Sequence, residues 1–278
     1  MKKALLNFQL RIRAARLRAR LVKVLDPAVQ KFLVISAPRT GSNLFCGLMT
    51  SHPKIICFHE VFHRKGILIG SPSNISSFDL GSAEERDQNP VKFLQKLYSR
   101  EHGFPAVGMK MFSGHNDIVM LALMQNRDVK KIVVSRRAAL HAYSSVLVAR
   151  QTHAYQNIDE SAASKPGRVH IDVDEFRKFA DSREKFFSDI RAQLRGQDYR
   201  ELDYLDIANR TRQFWEVQEF LGLEMVNDLK ARLRQQSAGE LIDKIANYDE
   251  LAEELWNTPH ERFLLAEALQ RQAGNYSK

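Results

Sequence analysis

Four short apolar runs frame this chain: residues 31–36 (KFLVIS), 55–58 (IICF), 106–112 (AVGMKMF) and 129–135 (VKKIVVS). Loops or helical stretches separate them, and strands that alternate with helices pair in parallel through crossovers. The expected fold is therefore α/β, a central parallel sheet flanked by helices, with a mainly helical carboxyl-terminal part. Helices are expected over 42–50, 138–154, 173–194 and 208–221, an edge strand over 201–205, and loops over 70–89 and 157–168. With 278 residues and 44% hydrophobic positions, the chain suits one globular domain or at most two small ones, which excludes disorder as its main state. No run of ~18 apolar residues is present and the start lacks a secretory pattern, so a cytoplasmic protein is expected. Cys46 and Cys57 sit among apolar neighbours and are read as packing residues.

The net charge of +9 is concentrated at one end: residues 1–31 hold nine Lys and Arg against Asp26 alone, which accounts for eight of the nine net charges. Residues 1–30 are thus a basic arm ahead of a nearly neutral domain, 31–278. Within the arm Leu6, Leu10, Leu17, Leu21 and Leu25 recur at spacings of four and seven, so they share one helical face, with arginines on the others. Packing on the body or on a second subunit, docking on a membrane surface, and an organelle transit peptide all fit such a helix. Nucleic acid is not an expected partner, because only Phe8 interleaves the arginines.

Two loops carry chemistry. In the first, a strand turns sharply into a helix through Ser36-Ala37-Pro38-Arg39-Thr40-Gly41-Ser42-Asn43. Backbone N–H groups at such a helix start face outward unpaired and the helix dipole adds positive potential, which makes an anion cradle. Arg39 adds a planar fork for phosphate, Thr40, Ser42 and Asn43 add polar donors, and Gly41 lets the backbone approach closely. Neither the Walker A pattern nor the dinucleotide G-x-G-x-x-G is present. The second loop follows 129–135, where Arg136-Arg137 lead into a helix carrying Ser144 and Ser145. An arginine at a strand end and a serine eight residues on can meet one anionic group.

PRTGSNLF (38–45) together with VVSRRAALHAYSS (133–145) resembles the two cofactor motifs of the sulfotransferases, in particular the bacterial carbohydrate sulfotransferases of the nodulation-factor and trehalose type. Weaker likenesses lie at VGMKMFSGH (107–115), LDYLDIAN, FLGLE and DKIANYDELAEEL (243–255). The resemblance implies a P-loop-kinase-like sheet, 3′-phosphoadenosine 5′-phosphosulfate as sulfuryl donor, no metal, and an acceptor hydroxyl on a sugar or glycolipid. It implies that Arg39, Thr40, Gly41, Ser42 and Asn43 hold the 5′-phosphosulfate. Arg136 with Ser144 or Ser145 would hold the 3′-phosphate, the doubled Arg and doubled Ser leaving the register open by one. Glu60, in FHEVFHRKG, stands where the bacterial branch carries a glutamate and is the expected base; His59, His63 and His115 are alternatives, since other branches use histidine. Lys110 would assist the departing phosphate or orient the acceptor.

The same segment satisfies H-E-x-x-H at His59, Glu60 and His63, so a zinc metalloprotease is a rival reading. That motif needs a helix to bring residues four apart to one face, whereas Pro53 and the apolar run before His59 favour a strand end. A nucleotide kinase lacks its lysine-bearing loop here, and a non-catalytic nucleotide-binding module docked to a membrane by the basic arm stays open.

Overall fold

A computed structural model describes residues 2–70, 78–152, 167–231 and 241–264. Five parallel strands, β1 (Gln30–Ser36), β2 (Ile55–Phe58), β3 (Ala106–Phe112), β4 (Val129–Ser135) and β5 (Tyr199–Asp203), form one sheet in the order β2-β3-β1-β4-β5. The α/β fold with a parallel sheet flanked by helices is as expected. The first four strands in chain order fall within one residue of their expected bounds. The edge strand lies two residues earlier, because Asp203 leaves the sheet to cap the next helix.

Period-two alternation divides the strand residues between two layers. Leu33, Ile35, Val107, Met109 and Val133 face a layer built by α1 (Lys2–Val24), α4 (Pro90–Leu97), α5 (Asp117–Gln125) and the end of α7 (Val173–Gln193). Phe32, Val34, Ile132 and Val134 face α2 (Ser42–Thr50) and α9 (Arg212–Phe220). The Phe32 ring lies so close to Gly108 that a Cβ there would sit 2.2 Å from it, which explains a glycine in mid-strand. A third apolar cluster joins α6 (Ala139–Thr152), α7, α10 (Leu241–Lys244) and α11 (Tyr248–Leu255) beyond the sheet.

The helices depart from expectation in three places. Residues 83–88 of the expected 70–89 loop form α3 (Ala83–Gln88), held by a capping box between Ser82 and Glu85. The expected helix 208–221 starts only at Arg212, as α9, because Arg210 takes a positive φ of 51° and Thr211 is extended, and a short separate helix, α8 (Tyr204–Ala208), precedes it. In α1 the leucine face packs only from Leu10 onward: Ala14, Leu17, Leu21 and Leu25 are buried in the first layer, while Leu6 is exposed. Residues 71–77 of the first loop and 157–166 of the second lie outside the described residues. Among the described residues, no helix is long and apolar enough to cross a membrane.

Candidate functional site

β1 is central, and the chain leaves it first toward β2 and β3 and later toward β4, so the loops after β1 and β4 diverge and open a crevice at the carboxyl edge. A cleft of about 990 Å³ lies there, reached by the loop after β1, the ends of β2, β3 and β4, and one side of α7.

One wall is cationic. The loop after β1 takes positive φ at Arg39 (65°) and Gly41 (85°). A side chain at Gly41 would collide with the Tyr204 ring, its Cβ 2.6 Å away, so backbone conformation and close approach both require glycine. As the cap residue of α2, Gly41 offers no side-chain acceptor to the first-turn N–H groups. Arg39 Nε donates to Ser145 Oγ at 2.8 Å, Arg136 Nη1 donates to the Arg39 carbonyl at 3.5 Å, and Arg183 Nη1 donates to the Pro38 carbonyl at 3.0 Å. Arg136 also lies over the Tyr204 ring, 4.2 Å from its centroid. Burial lowers the pKa of all three guanidiniums; for Arg183, with neighbouring Arg136 adding to the effect, the value falls to about 10. Arg136 Nε and Arg183 Nε and Nη2 are buried donors without a partner among the described residues. A buried donor without a partner costs about 1–3 kcal/mol, more on a charged group, a cost that an anion reaching this wall would offset.

The facing wall is internally paired. Lys110 Nζ, 1% exposed, lies 2.9 Å from Glu60 Oε1 and also donates to Asn43 Oδ1. His115 Nε2 is 3.4 Å from Glu60 Oε2, and its Nδ1 accepts the Phe112 N–H. Burial pushes the Glu60 carboxyl up, but the hydrogen bond from His115 and the nearby Lys110 ammonium outweigh it and hold the group at about 2. Arg86, fully inside, ties the segment down by donating from Nη1 to the carbonyls of Val61, His63 and Gly66.

Glu60, His63 and His115 each place one donor atom within 4.8 Å of the others, a spacing that a metal ion could bridge. Both imidazoles, however, accept a backbone N–H on Nδ1, His63 from Lys65 and His115 from Phe112, which assigns the proton to Nε2. In that tautomer His115 donates to Glu60, and both rings oppose ligation through Nε2. The H-E-x-x-H pattern does not fold as a zinc helix, since residues 59–63 are coil and turn. His59 points away from the cleft against Gly70; burial first, and Lys110 next, lower its pKa to about 3, so it is neutral.

Of the residues singled out in the sequence, Arg39, Gly41, Ser42, Asn43, Glu60, His63, Lys110, His115, Arg136 and Ser145 line the cleft. Three do not. Thr40 is turned inward, bracing the loop against Ser36 Oγ at 2.6 Å and the Ala37 carbonyl at 3.0 Å. Ser144 donates to the His141 carbonyl of its own helix, and His59 is buried elsewhere. Of the doubled residues, Arg136 and Ser145 face the cleft, whereas Arg137 is exposed beside Asp203. Arg183 and Tyr204 went unassigned in the sequence. Arg183 had a signal, for Phe176, Ala180, Arg183, Phe187 and Ile190 share one helical stripe, and a lone arginine there must have a buried purpose. No protein-family model matches the chain, and no curated protein matches it.

Proposed function

We propose that the chain is a sulfotransferase that moves a sulfuryl group from 3′-phosphoadenosine 5′-phosphosulfate to a hydroxyl of a carbohydrate or glycolipid. The observation that carries this reading is the convergence of Arg39, Arg136 and Arg183 on one loop, with buried guanidinium donors of Arg136 and Arg183 unmade, across a cleft from a paired carboxylate and ammonium. These donors suit a ligand with two anionic ends, the first held at Arg39 and the α2 start, the second at Arg136, Arg183 and Ser145.

Bound there, the donor supplies an activated sulfuryl group whose S–O bond to the 5′-phosphate breaks as the bond to the acceptor oxygen forms. Glu60 takes the acceptor proton on a carboxylate oxygen. With a pKa of about 2 in the unliganded cleft, it is a weak base. Lys110 lies between Asn43 on the donor side and Glu60, so an anion at the loop competes for its ammonium. As Lys110 turns toward that anion, Glu60 regains basicity, which couples donor binding to activation of the base. Arg39 and the α2 N–H groups face the charge growing on the leaving phosphate.

Calorimetry with 3′-phosphoadenosine 5′-phosphate, followed by transfer of radiolabelled sulfate to sugar and glycolipid acceptors, tests the reading. Binding with transfer is expected. Binding without transfer to any acceptor would point to a non-catalytic nucleotide-binding module. Absence of binding, or stoichiometric zinc in the purified protein, would count against the reading altogether.

A further inference from the structure

We propose that the outer face of α1 is a docking surface for an anionic lipid membrane. The leucine face of this helix is spent on the body, where Ala14, Leu17, Leu21 and Leu25 are buried. A second apolar stripe remains on the opposite side. Leu5, Phe8, Ile12, Ala15, Ala19 and Val22 recur at alternating spacings of three and four, which gathers them within an arc of about 100°. None is covered: Leu5 is 59% exposed, Phe8 61%, Ile12 37% and Val22 54%, and Ala15 and Ala19 are exposed as well.

Charge decides the occupant. On the helical wheel Arg11 and Arg18 border one side of the stripe and Arg16 and Lys23 the other, and no acidic residue occurs in α1. An apolar band between two cationic borders is the arrangement of a helix lying in a lipid interface, with the arginine stems following the apolar surface and the guanidiniums reaching lipid phosphates. A second copy of the helix fits poorly. The stripe has coiled-coil spacing, but its flanking positions would set arginine against arginine or lysine, and two of its layers are alanine.

The placement of α1 adds a second reason. It leaves the sheet at the amino end of β1, and Arg18 donates to the Gln125 carbonyl at the end of α5. From there the helix runs back past the sheet, about 35 Å long against about 23 Å for a seven-residue strand. Its first turns therefore overhang toward the carboxyl edge that carries the cleft, which leaves Leu6 exposed on the otherwise packed side. Docking by this stripe lays the membrane alongside α1, with the projecting first turns free to enter it. The surface stands independently of the proposed sulfuryl transfer.

Flotation of the full chain with vesicles tests this, using phosphatidylcholine alone and phosphatidylcholine with a third of phosphatidylglycerol. Binding to the anionic vesicles is expected, weakening at high salt and reduced at least ~10-fold by the triple variant Leu5→Ser, Phe8→Ser, Ile12→Ser. The same variant should keep the parent's melting temperature and its affinity for 3′-phosphoadenosine 5′-phosphate, since these residues touch neither core nor cleft. Arg11→Gln with Arg16→Gln should also weaken binding. Absence of binding, equal binding to both vesicles, or full binding by the triple variant overturns the proposal. So does a dimer in sedimentation equilibrium that the triple variant dissolves, which would assign the stripe to a second copy.

Discussion

The two walls of the cleft differ in how their charges are balanced. On one, Arg39, Arg136 and Arg183 crowd a single loop and leave buried donors unmade at the latter two; on the other, Glu60, Lys110 and His115 satisfy one another. A wall with excess buried charge is held in place by the fold and gains when a counter-ion arrives. A wall whose charges are already paired gains little from a ligand and must be opened by one. Under the proposed transfer the difference would separate binding from chemistry, the arginine side setting affinity and the Glu60 side setting the rate once Lys110 is drawn away.

Removing the base should show the largest effect. Glu60→Gln is expected to lower sulfuryl transfer by roughly a thousandfold or more while nucleotide affinity in calorimetry is not weakened and rises slightly, since Lys110 no longer has to leave a carboxylate. A parallel loss of affinity would mean that the two walls are not separable. Arg39→Ala and Arg136→Ala should each weaken 3′-phosphoadenosine 5′-phosphate by about a hundredfold, the scale of one or two charge-assisted hydrogen bonds. Unchanged affinity in both would remove the anion-binding role of that wall.

Arg183→Met sharpens the contrast, because it should move two quantities in opposite directions. Deleting a buried, partly unpaired charge in favour of an apolar side chain of similar length should raise the melting temperature of the unliganded protein, by about 1 kcal/mol of stability, while weakening the nucleotide about tenfold. A purely structural arginine would lose stability instead.

Acid titration followed by circular dichroism tests the paired wall through stability alone, apart from any ligand. Glu60 is held at about 2 in the fold against an ordinary 4.5, so the stability it adds is present above 4.5 and is lost as pH falls toward 2. His59, kept neutral with a pKa of about 3 against 6.5, takes up a proton more readily when unfolded, so its stabilising effect drains away between 6.5 and 3. Glu60→Gln should flatten the loss below 4.5 and leave the upper part of the slope intact.

Much of the frame was legible because it depends on local periodicity. The runs 55–58, 106–112 and 129–135 and the helix 42–50 have the same bounds in the sheet and in the sequence reading, and the loop between β1 and α2 was recognisable by its turn chemistry. Glu60 and Lys110 were also nameable, as polar residues within or just beyond apolar runs. Less visible was anything that depends on rotation about an axis. Ser144 and Ser145 stand about 100° apart on α6, so only the docked helix decides that Ser145 meets Arg39 while Ser144 turns to the His141 carbonyl. Thr40 and His59 were expected to face the cleft; instead Thr40 hydrogen-bonds Ser36 and Ala37 within its own turn and His59 packs against Gly70.

What the chain's sequence determined by itself is the order of strands and helices and the positions of two cationic turns, because hydrophobic period, turn residues and helix-start chemistry act over a few neighbouring residues. The tertiary structure alone decided that Arg183 reaches Pro38 across 145 positions of chain and so joins Arg39 and Arg136, and that α1 keeps a second apolar stripe uncovered. Those outcomes rest on which face of each helix meets the sheet, and burial settles that only when all the elements pack together.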